Sequence, residues 1–312
     1  MEELLKKFIE YLTKKKKPYV KEIMKDLELQ EYEVYGIIEL LKQKGYLLTI
    51  NDGKIIKTKP IKESNIYCIP NNLSHLKLLL ISDTHLSSKY DRVDILNYLY
   101  AKAEDTNTSY ILHAGDVTDG LSNRPNHIYD LKEVSYTGQR DYAVHYYPTS
   151  SIPTYLIAGN HDLWWIQRCG ADIVKDISSL RPDLHYLGSD CEDLKINKLR
   201  IRLYHGKGGS TYAKSYRLQK YLDTVPLEER PHLLVTGHIH QSLYYKQDKT
   251  HCFQTSCLQD LTPFERSMGY NNDKSVWWID VWFDDKGNPV KIAQELETFG
   301  PRSPARTLTR KK

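Results

Sequence analysis

Aspartate, asparagine and histidine side chains follow five short apolar runs of this 312-residue sequence. The runs are rich in Leu, Ile, Val and Tyr, which is typical of buried strands. The polar stretches that follow them are Asp83-Thr84-His85, Gly115-Asp116, Gly159-Asn160-His161-Asp162, His205-Gly206 and Gly237-His238-Ile239-His240. Because open α/β sheets bind ligands at the carboxyl ends of their strands, these side chains form a candidate site.

The candidate ligands combine carboxylate oxygen, imidazole nitrogen and amide oxygen: Asp83, His85, Asp116, Asn160, His205, His238 and His240. This mixture suits a pair of borderline divalent ions such as Mn²⁺, Fe²⁺ or Zn²⁺ better than Ca²⁺ or a thiolate site. In an extended chain, residues two apart point the same way. Asp83 with His85, and His238 with His240, can therefore each face one centre.

The five stretches, in this order, resemble the pattern of the calcineurin-like metallophosphoesterase superfamily: DxH, GDxxD, GNH[DE], H and GHxH. The matching blocks span residues 83–240. The resemblance implies an α+β fold, an α/β/β/α sandwich of two mixed sheets flanked by helices. It also implies a metal-dependent phosphoric ester hydrolase.

Residue roles follow from the resemblance. The implied ligand sets are Asp83, His85 and His240 on one metal, Asp116 bridging both, and Asn160, His205 and His238 on the other. The metals would be two divalent ions, with Mn²⁺ favoured and Fe²⁺ or Zn²⁺ as alternatives. A hydroxide bridging them would attack the phosphate, while His161 protonates or steadies the leaving oxygen and Asp162 orients its ring.

Two departures from sub-family patterns bear on the substrate. The serine/threonine protein phosphatases have GDxVDRG at the second block, whereas residues 115–120 here read Gly-Asp-Val-Thr-Asp-Gly and lack the Arg. DNA repair nucleases of the SbcD type carry a histidine three residues after the bridging Asp, where this chain has Asp119. Asp119 is expected either to support the site or to cap the turn that follows it.

Three cations are candidates for substrate binding. Arg124 lies in the tyrosine-rich segment 122–151, where aromatic and basic residues could stack on bases or simply pack. Lys207 lies in a Gly-rich turn after His205, whose backbone N–H groups could hold a second phosphate. Arg217 lies in a predicted helix from Tyr212 to Leu222.

Strand-like runs after the motif blocks predict enough strands for a second sheet. Strand-like runs follow the last block at His251–Thr255, Val276–Phe283 and Lys291–Glu297. A turn at residues 284–288, with Asp, Gly and Asn, separates the last two runs and predicts a hairpin.

The first sixty residues predict three helices and a hairpin. Apolar residues recur at helical spacing over 2–14, about 20–27 and about 30–44, and Asn51-Asp52-Gly53 predicts a tight turn between two short strands. The order resembles a winged helix, whose third helix would face a DNA major groove. That helix carries Glu31, Glu33 and Glu39, which phosphates repel, so nucleic-acid contact and protein docking or dimerisation both stay open.

The predicted organisation is a winged-helix-like domain at 1–60, a linker at 61–75, the metallophosphoesterase domain at 76–300 and a basic flexible tail at 301–312. Residues 1–62 carry 14 Lys/Arg against 10 Asp/Glu, and the tail carries five Lys/Arg and no acid. Five scattered cysteines without a CxxC pair predict neither a disulfide framework nor a zinc ribbon, and a cytoplasmic location is expected. No apolar run approaches the length of a membrane span.

Three functions remain open. The first is a two-metal phosphodiesterase or nuclease acting on nucleic acid, with the N-terminal module docking it. The second is a phosphodiesterase or phosphatase of small nucleotides or cyclic nucleotides, whose winged helix serves dimerisation or binds a protein partner. The third is a DNA-binding regulator with a degenerate enzyme domain, which the full ligand set and His161 argue against.

Overall fold

A computed structural model describes residues 2–15, 17–43, 47–58, 66–70, 73–124, 126–209 and 213–300. The chain divides into two compact units: Met1–Ser64 with Tyr221–Glu229, and Asn65–Lys220 with Arg230–Lys312. Residues 61–65 and 71–72 of the predicted linker, and the whole predicted tail 301–312, lie outside the described residues.

The smaller unit contains the predicted helices and hairpin. Its elements are α1 (Glu2–Lys14), α2 (Val20–Asp26), α3 (Glu31–Gln43), β1 (Leu47–Asn51) and β2 (Lys54–Thr58). The strands pair antiparallel across a turn in which Asp52 and Gly53 both have positive φ, as the Asn-Asp-Gly sequence predicts. The apolar faces of the helices meet in a core centred on Phe8, Ile23 and Ile38.

The larger unit holds the remaining elements. Its strands are β3 (Tyr67–Ile69), β4 (His75–Ile81), β5 (Tyr110–His113), β6 (Thr154–Ala158), β7 (Leu184–Ser189), β8 (Cys191–Ile196), β9 (Leu199–Tyr204), β10 (Leu233–Thr236), β11 (Leu243–Gln247), β12 (Thr250–Gln254), β13 (Lys274–Phe283) and β14 (Pro289–Phe299). The helices are α4 (Val93–Asp105), α5 (Tyr136–Tyr146), α6 (Asn160–Cys169), α7 (Ile173–Leu180), α8 (Tyr216–Leu222, which reaches into the segment grouped with the smaller unit) and α9 (Pro263–Ser267).

The strands form two mixed six-stranded sheets. One has the order β14-β13-β4-β5-β6-β7, with β4 to β7 parallel, β13 antiparallel to β4, and β14 antiparallel to β13. The other has the order β11-β12-β10-β9-β8-β3. Part of the predicted linker 61–75 lies in strands, because β3 pairs with β8 and β4 begins at His75. Three residues before Pro70 are too few for a recognisable strand pattern.

Alternate residues of β4 show how the layers stack. Leu78 and Leu80 join a core with residues of the second sheet such as Ile201 and Val235. Leu79 and Ile81 belong to a second core with α4, α5 and α7. The period-two alternation of a strand therefore gives β4 one face toward the other sheet and one toward helices. This is the predicted α+β sandwich of two mixed sheets flanked by helices.

No helix among the described residues is long and apolar enough to cross a membrane.

Candidate metal centre

The parallel strands β4, β5 and β6, together with β9 and β10, end at one place. All seven predicted ligand side chains gather there, at the carboxyl ends of these strands. Three groups of three residues could each hold a metal ion, because one donor atom from each lies within 4.8 Å of the others. The groups are Asp83-His85-His240, His85-Asp116-His161 and Asp116-His205-His238.

The first group is compact. Nε2 of His240 lies 3.3 Å from Oδ1 of Asp83, and Nε2 of His85 lies 3.8 Å from the same oxygen. The two imidazole Nε2 atoms are 3.1 Å apart. Three donor atoms thus converge on one point, and we name Asp83, His85 and His240 the first half-site.

The second group lies beside it. Nε2 of His205 is 3.1 Å from Oδ2 of Asp116 and 3.0 Å from Oδ1 of Asn160. The ring of His238 packs edge-on to that of His205, with centroids 5.2 Å apart. We name Asn160, His205 and His238 the second half-site. Asp116 connects the two, since its Oδ2 is also 4.0 Å from Nε2 of His85.

The outer ring nitrogen of each histidine has an acceptor. Nδ1 of His85 lies 3.0 Å from Oδ1 of Asp119, and Nδ1 of His240 lies 2.8 Å from Oε1 of Glu265. In the second half-site, Nδ1 of His205 donates to the carbonyl of Ala114, and Nε2 of His238 donates to the carbonyl of Gly208, each at 2.8 Å. A nitrogen that donates outward leaves the lone pair of the other nitrogen facing the centre, as in metal-ligating histidines.

The electrostatics of the cluster favour a cation. Burial lowers the pKa of His205, but the carboxylate of Asp116 outweighs it and raises that pKa to about 9. Burial raises the pKa of Asp83, yet the hydrogen bond and charge of His240 bring it below its ordinary value. The carboxylates therefore draw positive charge into a buried site. Divalent ions supply that charge, and the donor set fits them.

The backbone at the ligands is strained. Asp83, His85, Asp116, His238 and His240 have φ between 44° and 75°, the left-handed region that non-glycine residues rarely occupy. Such conformations cost about 1–3 kcal/mol each and collect at functional sites. The fold therefore holds these side chains against local backbone preference.

Two motif glycines permit close approach of the ligand loops. A Cβ on Gly159 would lie 2.3 Å from Oδ1 of Asp116, and a Cβ on Gly237 would lie 2.4 Å from Oδ2 of Asp83. Both distances are far below van der Waals contact. A side chain at either position would push a carboxylate out of the centre.

His161 lies next to the centre in the first turn of α6. Its backbone N–H donates to Oδ1 of Asp116 at 2.8 Å. Its Nδ1 lies 2.8 Å from the backbone carbonyl of Asp119 and 3.6 Å from that residue's Oδ1. Burial lowers the pKa of His161, but Asp116 and Asp119 outweigh it and raise that pKa.

The expected role of Asp162 is wrong in its detail. Its carboxylate accepts hydrogen bonds from the backbone N–H groups of Val117, Thr118 and Gly159, at 2.8–3.0 Å. It therefore ties the second and third sequence blocks together, whereas Asp119 orients the ring of His161. Asp162 is buried, and burial together with Asp116 raises its pKa to about 6.

Sequence reasoning left Asp119 undecided and missed its neighbour His127. The carboxylate of Asp119 contacts His85, His127 and His161, and although burial raises its pKa, these three histidines hold it well below its usual range. Glu265, which holds His240, was also missed. Its only sequence signal was the Thr262-x-x-Glu265 capping box, which does begin α9. His127 begins a short 3₁₀ turn, and no sequence pattern singled it out.

A cleft of about 750 Å³ opens over the centre. The predicted cations Arg124 and Lys207 line it, together with the aromatic residues Trp164, Phe264 and Tyr270. Nζ of Lys207 pairs with Asp190 at 2.7 Å and is largely exposed. The tyrosines predicted for stacking do not line the cleft. Tyr147, for example, is buried in the core.

Arg217 lies outside the cleft lining. Its guanidinium donates to the carbonyl of Lys207 and packs against Gly208, where an added Cβ would lie 2.4 Å from Nη1. Arg217 thus fixes the loop whose Gly208 carbonyl holds His238. The structure gives it a supporting contact in place of the predicted contact with substrate.

Two mixed sheets carry paired sets of aspartate and histidine ligands at their strand ends. This combination is typical of the metallophosphoesterase fold. Residues 76–257 match the calcineurin-like phosphoesterase superfamily domain, and the chain belongs to this superfamily. Its aspartate and histidine clusters could hold divalent metal ions.

Similar proteins include two archaeal DNA polymerase II small subunits. That of Thermoplasma acidophilum is 23% identical over 77% of this chain and 56% of its own length. That of Methanothermobacter thermautotrophicus is 22% identical over 69% of this chain and 54% of its own length. The chain thus spans about half the length of the curated relatives it matches. The solved structure of an archaeal phosphodiesterase covers 71% of this chain and 100% of its own, at 14% identity and a TM-score of 0.42.

Proposed function

We propose that this protein is a two-metal phosphodiesterase that acts on nucleic acid. The observation that carries the proposal is the pair of half-sites joined by Asp116, with His161 at their edge. Asp83, His85 and His240 would hold the first ion, and Asn160, His205 and His238 the second. Mn²⁺ is the favoured ion, with Fe²⁺ or Zn²⁺ as alternatives, since a mixed oxygen and nitrogen donor set suits all three.

When bound, two such ions lower the pKa of a water molecule and neutralise the charge of the phosphate. The side chains supply the remaining chemistry. Water adds to phosphorus and releases a proton to the solvent, the ester P–O bond breaks, and the departing oxygen takes a proton from Nε2 of His161. The solvent then returns a proton to His161. The raised pKa of His161 suits it to hold that proton near neutral pH. Nδ1 of His161 donates to the backbone carbonyl of Asp119, close to that residue's carboxylate. The proton available to the departing oxygen is therefore the one on Nε2.

The nucleic-acid substrate is supported by two observations. The relatives named above are DNA polymerase subunits, which links this part of the superfamily to proteins that work on DNA. The cleft also offers aromatic rings beside the centre. Trp164 packs against His161 at 4.0 Å between centroids, so a base could stack there. A cleft of about 750 Å³ would also admit a single nucleotide, so hydrolysis of small or cyclic nucleotides is the alternative.

The smaller unit, which resembles a winged helix, would dock the substrate or a partner. On α3 the exposed side chains include Glu31, Tyr32, Tyr35 and Glu39, a mixture of acids and aromatics that suits a protein or a second copy better than phosphates. Lys14 and Lys17 are exposed and could contact a nucleic-acid backbone instead. The five cysteines are all free thiols, which agrees with the proposed cytoplasmic location.

The first test compares bis-(p-nitrophenyl) phosphate with p-nitrophenyl phosphate, using the full chain with added Mn²⁺. We expect cleavage of the diester and little cleavage of the monoester. Long DNA or RNA should compete with the small diester, and Lys14→Glu with Lys17→Glu should weaken that competition if the smaller unit docks the polymer. Turnover of the diester without competition would favour small nucleotides. No hydrolysis with metal bound would contradict the proposal.

A further inference from the structure

Arg124 and Phe264 form a stacked pair at the edge of the cleft. The guanidinium carbon of Arg124 lies 3.8 Å from the centroid of the Phe264 ring, and both residues line the cleft. The pair joins two segments that are far apart in sequence, the loop before residues 127–130 and the short helix α9. Phe264 lies beyond residues 76–257, the range that matches the superfamily domain.

One nitrogen of this guanidinium has no partner among the described residues. Nη1 of Arg124 is buried and makes no hydrogen bond to any residue that the structure describes. Nε makes a long contact of 3.3 Å with the hydroxyl of Ser122. A buried donor left unsatisfied is destabilising, so such atoms are rare without a reason. A ligand that accepts from Nη1 would remove this destabilisation.

The guanidinium also lacks an ion-pair partner among the described residues. The carboxylates of Asp119, Asp130 and Glu265 act on it only through space. Burial lowers the pKa of Arg124, but a guanidinium stays protonated at any physiological pH. A half-buried, unpaired cation in a cleft is suited to bind an anion.

The carboxylates near Arg124 show which part of the centre it faces. Asp119 contacts His85 and His161, and Glu265 contacts His240. Arg124 therefore lies toward the first half-site and toward His161, the residue that would protonate the leaving oxygen. An anion bound by Arg124 would belong to the leaving part of the substrate.

We propose that Arg124, held flat by Phe264, binds a second phosphate of the substrate on the leaving-group side. A planar guanidinium matches two phosphate oxygens, and stacking on Phe264 fixes its plane. The substrate would then carry at least two phosphates along one chain, as an oligonucleotide does. This inference rests on the proposed phosphodiesterase function and makes its substrate class more specific.

The test uses three dinucleotides with one scissile bond: thymidylyl-thymidine without a terminal phosphate, with a 5′ phosphate, and with a 3′ phosphate. For each, kcat/KM and the products are measured with the full chain and Mn²⁺. The products identify the fragment that leaves as an alcohol. A terminal phosphate on that fragment should raise kcat/KM about 10- to 100-fold, as expected for a charge-assisted contact, whereas one on the other fragment should not.

The variants ask whether Arg124 produces that gain. In Arg124→Gln the ratio of kcat/KM with and without the phosphate should fall to about one. Arg124→Lys and Phe264→Leu should give intermediate ratios, because each keeps the charge but loses the fixed plane. Arg140→Gln is the matched control, since Arg140 pairs with Asp141 outside the cleft lining, and it should keep the full ratio. The ratio is internal to each preparation and does not depend on the folded fraction.

Two results would overturn the subsite. One is an equal kcat/KM for all three dinucleotides in the native protein, and the other is a ratio that Arg124→Gln leaves unchanged. Failure of the underlying function would look different, because the native protein would then cleave neither the dinucleotides nor bis-(p-nitrophenyl) phosphate.

Discussion

The two half-sites of the metal centre have similar inner donors but different outer contacts. In the first half-site, the carboxylates of Asp119 and Glu265 accept from the ring nitrogens of His85 and His240. In the second, backbone carbonyls of Ala114 and Gly208 do so. A carboxylate makes an imidazole a more basic ligand than a neutral carbonyl does.

Charge follows the same division. The first half-site includes the carboxylate of Asp83 and has two more carboxylates directly behind it. The second half-site contributes the neutral amide of Asn160 and shares Asp116. We therefore expect the first half-site to bind a divalent ion more tightly than the second, with Asp116 required by both.

The largest expected effect tests the connection between the half-sites. Asp116→Asn removes the shared charge, so the affinity for both ions should fall. Turnover should fall by more than the ~100-fold that loss of an outer contact causes. Mn²⁺ at ~100 times its Kd should raise the melting temperature of the native protein by about 5–10 °C. The variant should lose most of that rise. A normal rise with Asn at this position would show that the half-sites are independent.

The next effect separates catalysis from metal binding. His161→Gln should lower kcat by ~10²- to 10⁴-fold, the range for a general acid, and leave the affinity for Mn²⁺ close to that of the native protein. His185→Gln is the control, because His185 stacks on Tyr155 and does not line the cleft. Loss of one bound ion in His161→Gln, seen by calorimetric titration, would instead make His161 a ligand, as its membership of the His85-Asp116-His161 group allows.

These inner positions could be predicted from sequence because each follows a strand directly. The residues that follow a short apolar strand lie at the edge of the sheet. Their location in the fold can therefore be read from their position after the strand in the sequence. The glycines of the motifs are consistent with these positions, because Gly159 and Gly237 leave room for the neighbouring carboxylates. Turn residues and strand-like runs predicted the hairpin at Asn51-Asp52-Gly53 and the strands β13 and β14, although these two strands join the sheet of β4 and not the other sheet.

The outer contacts could not be predicted in this way. Glu265 reaches His240 from 25 residues away, and no spacing rule connects a short helix with a strand end. The resemblance implied that Asp162, which adjoins His161 in sequence, would have the role that Asp119 has in the structure. In the first turn of α6, however, its side chain turns to the backbone N–H groups of a neighbouring loop. Adjacency in a helix does not give adjacency of side chains.

Glu265→Gln tests the carboxylate contact of the first half-site. Gln can keep the capping hydrogen bond to Thr262, so α9 should persist while His240 loses a charged partner. The affinity for the tighter ion should fall ~10- to 100-fold. Glu22→Gln makes the same change in the capping box of α2 and should have no effect on metal affinity.

The pH dependence of this variant has a definite sign. Burial raises the pKa of Glu265, but His240 and Thr262 outweigh it and lower that pKa to about 2. A depressed pKa means that the charge is present above the ordinary value of about 4.3 and is lost only as the pH falls toward 2. The difference between native protein and Glu265→Gln should therefore stay constant from about pH 5 to 8. A difference that shrinks within this range would show that Glu265 is protonated there.

The smallest expected effect concerns the loop behind the second half-site. Arg217→Met removes the hydrogen bond to the carbonyl of Lys207, which frees the loop whose Gly208 carbonyl holds His238. Since that contact acts through backbone only, the affinity for the weaker ion should fall by less than ~10-fold, the lower bound for a direct outer contact. The tighter ion should be unaffected, and Arg140→Met should change neither. The measurement is a Mn²⁺ titration that resolves two affinities, compared between the native protein and each variant. If Arg217→Met lowers the affinity for the tighter ion, then the outer contacts of the two half-sites depend on each other. In that case the difference between carboxylate and carbonyl partners does not set the order of binding.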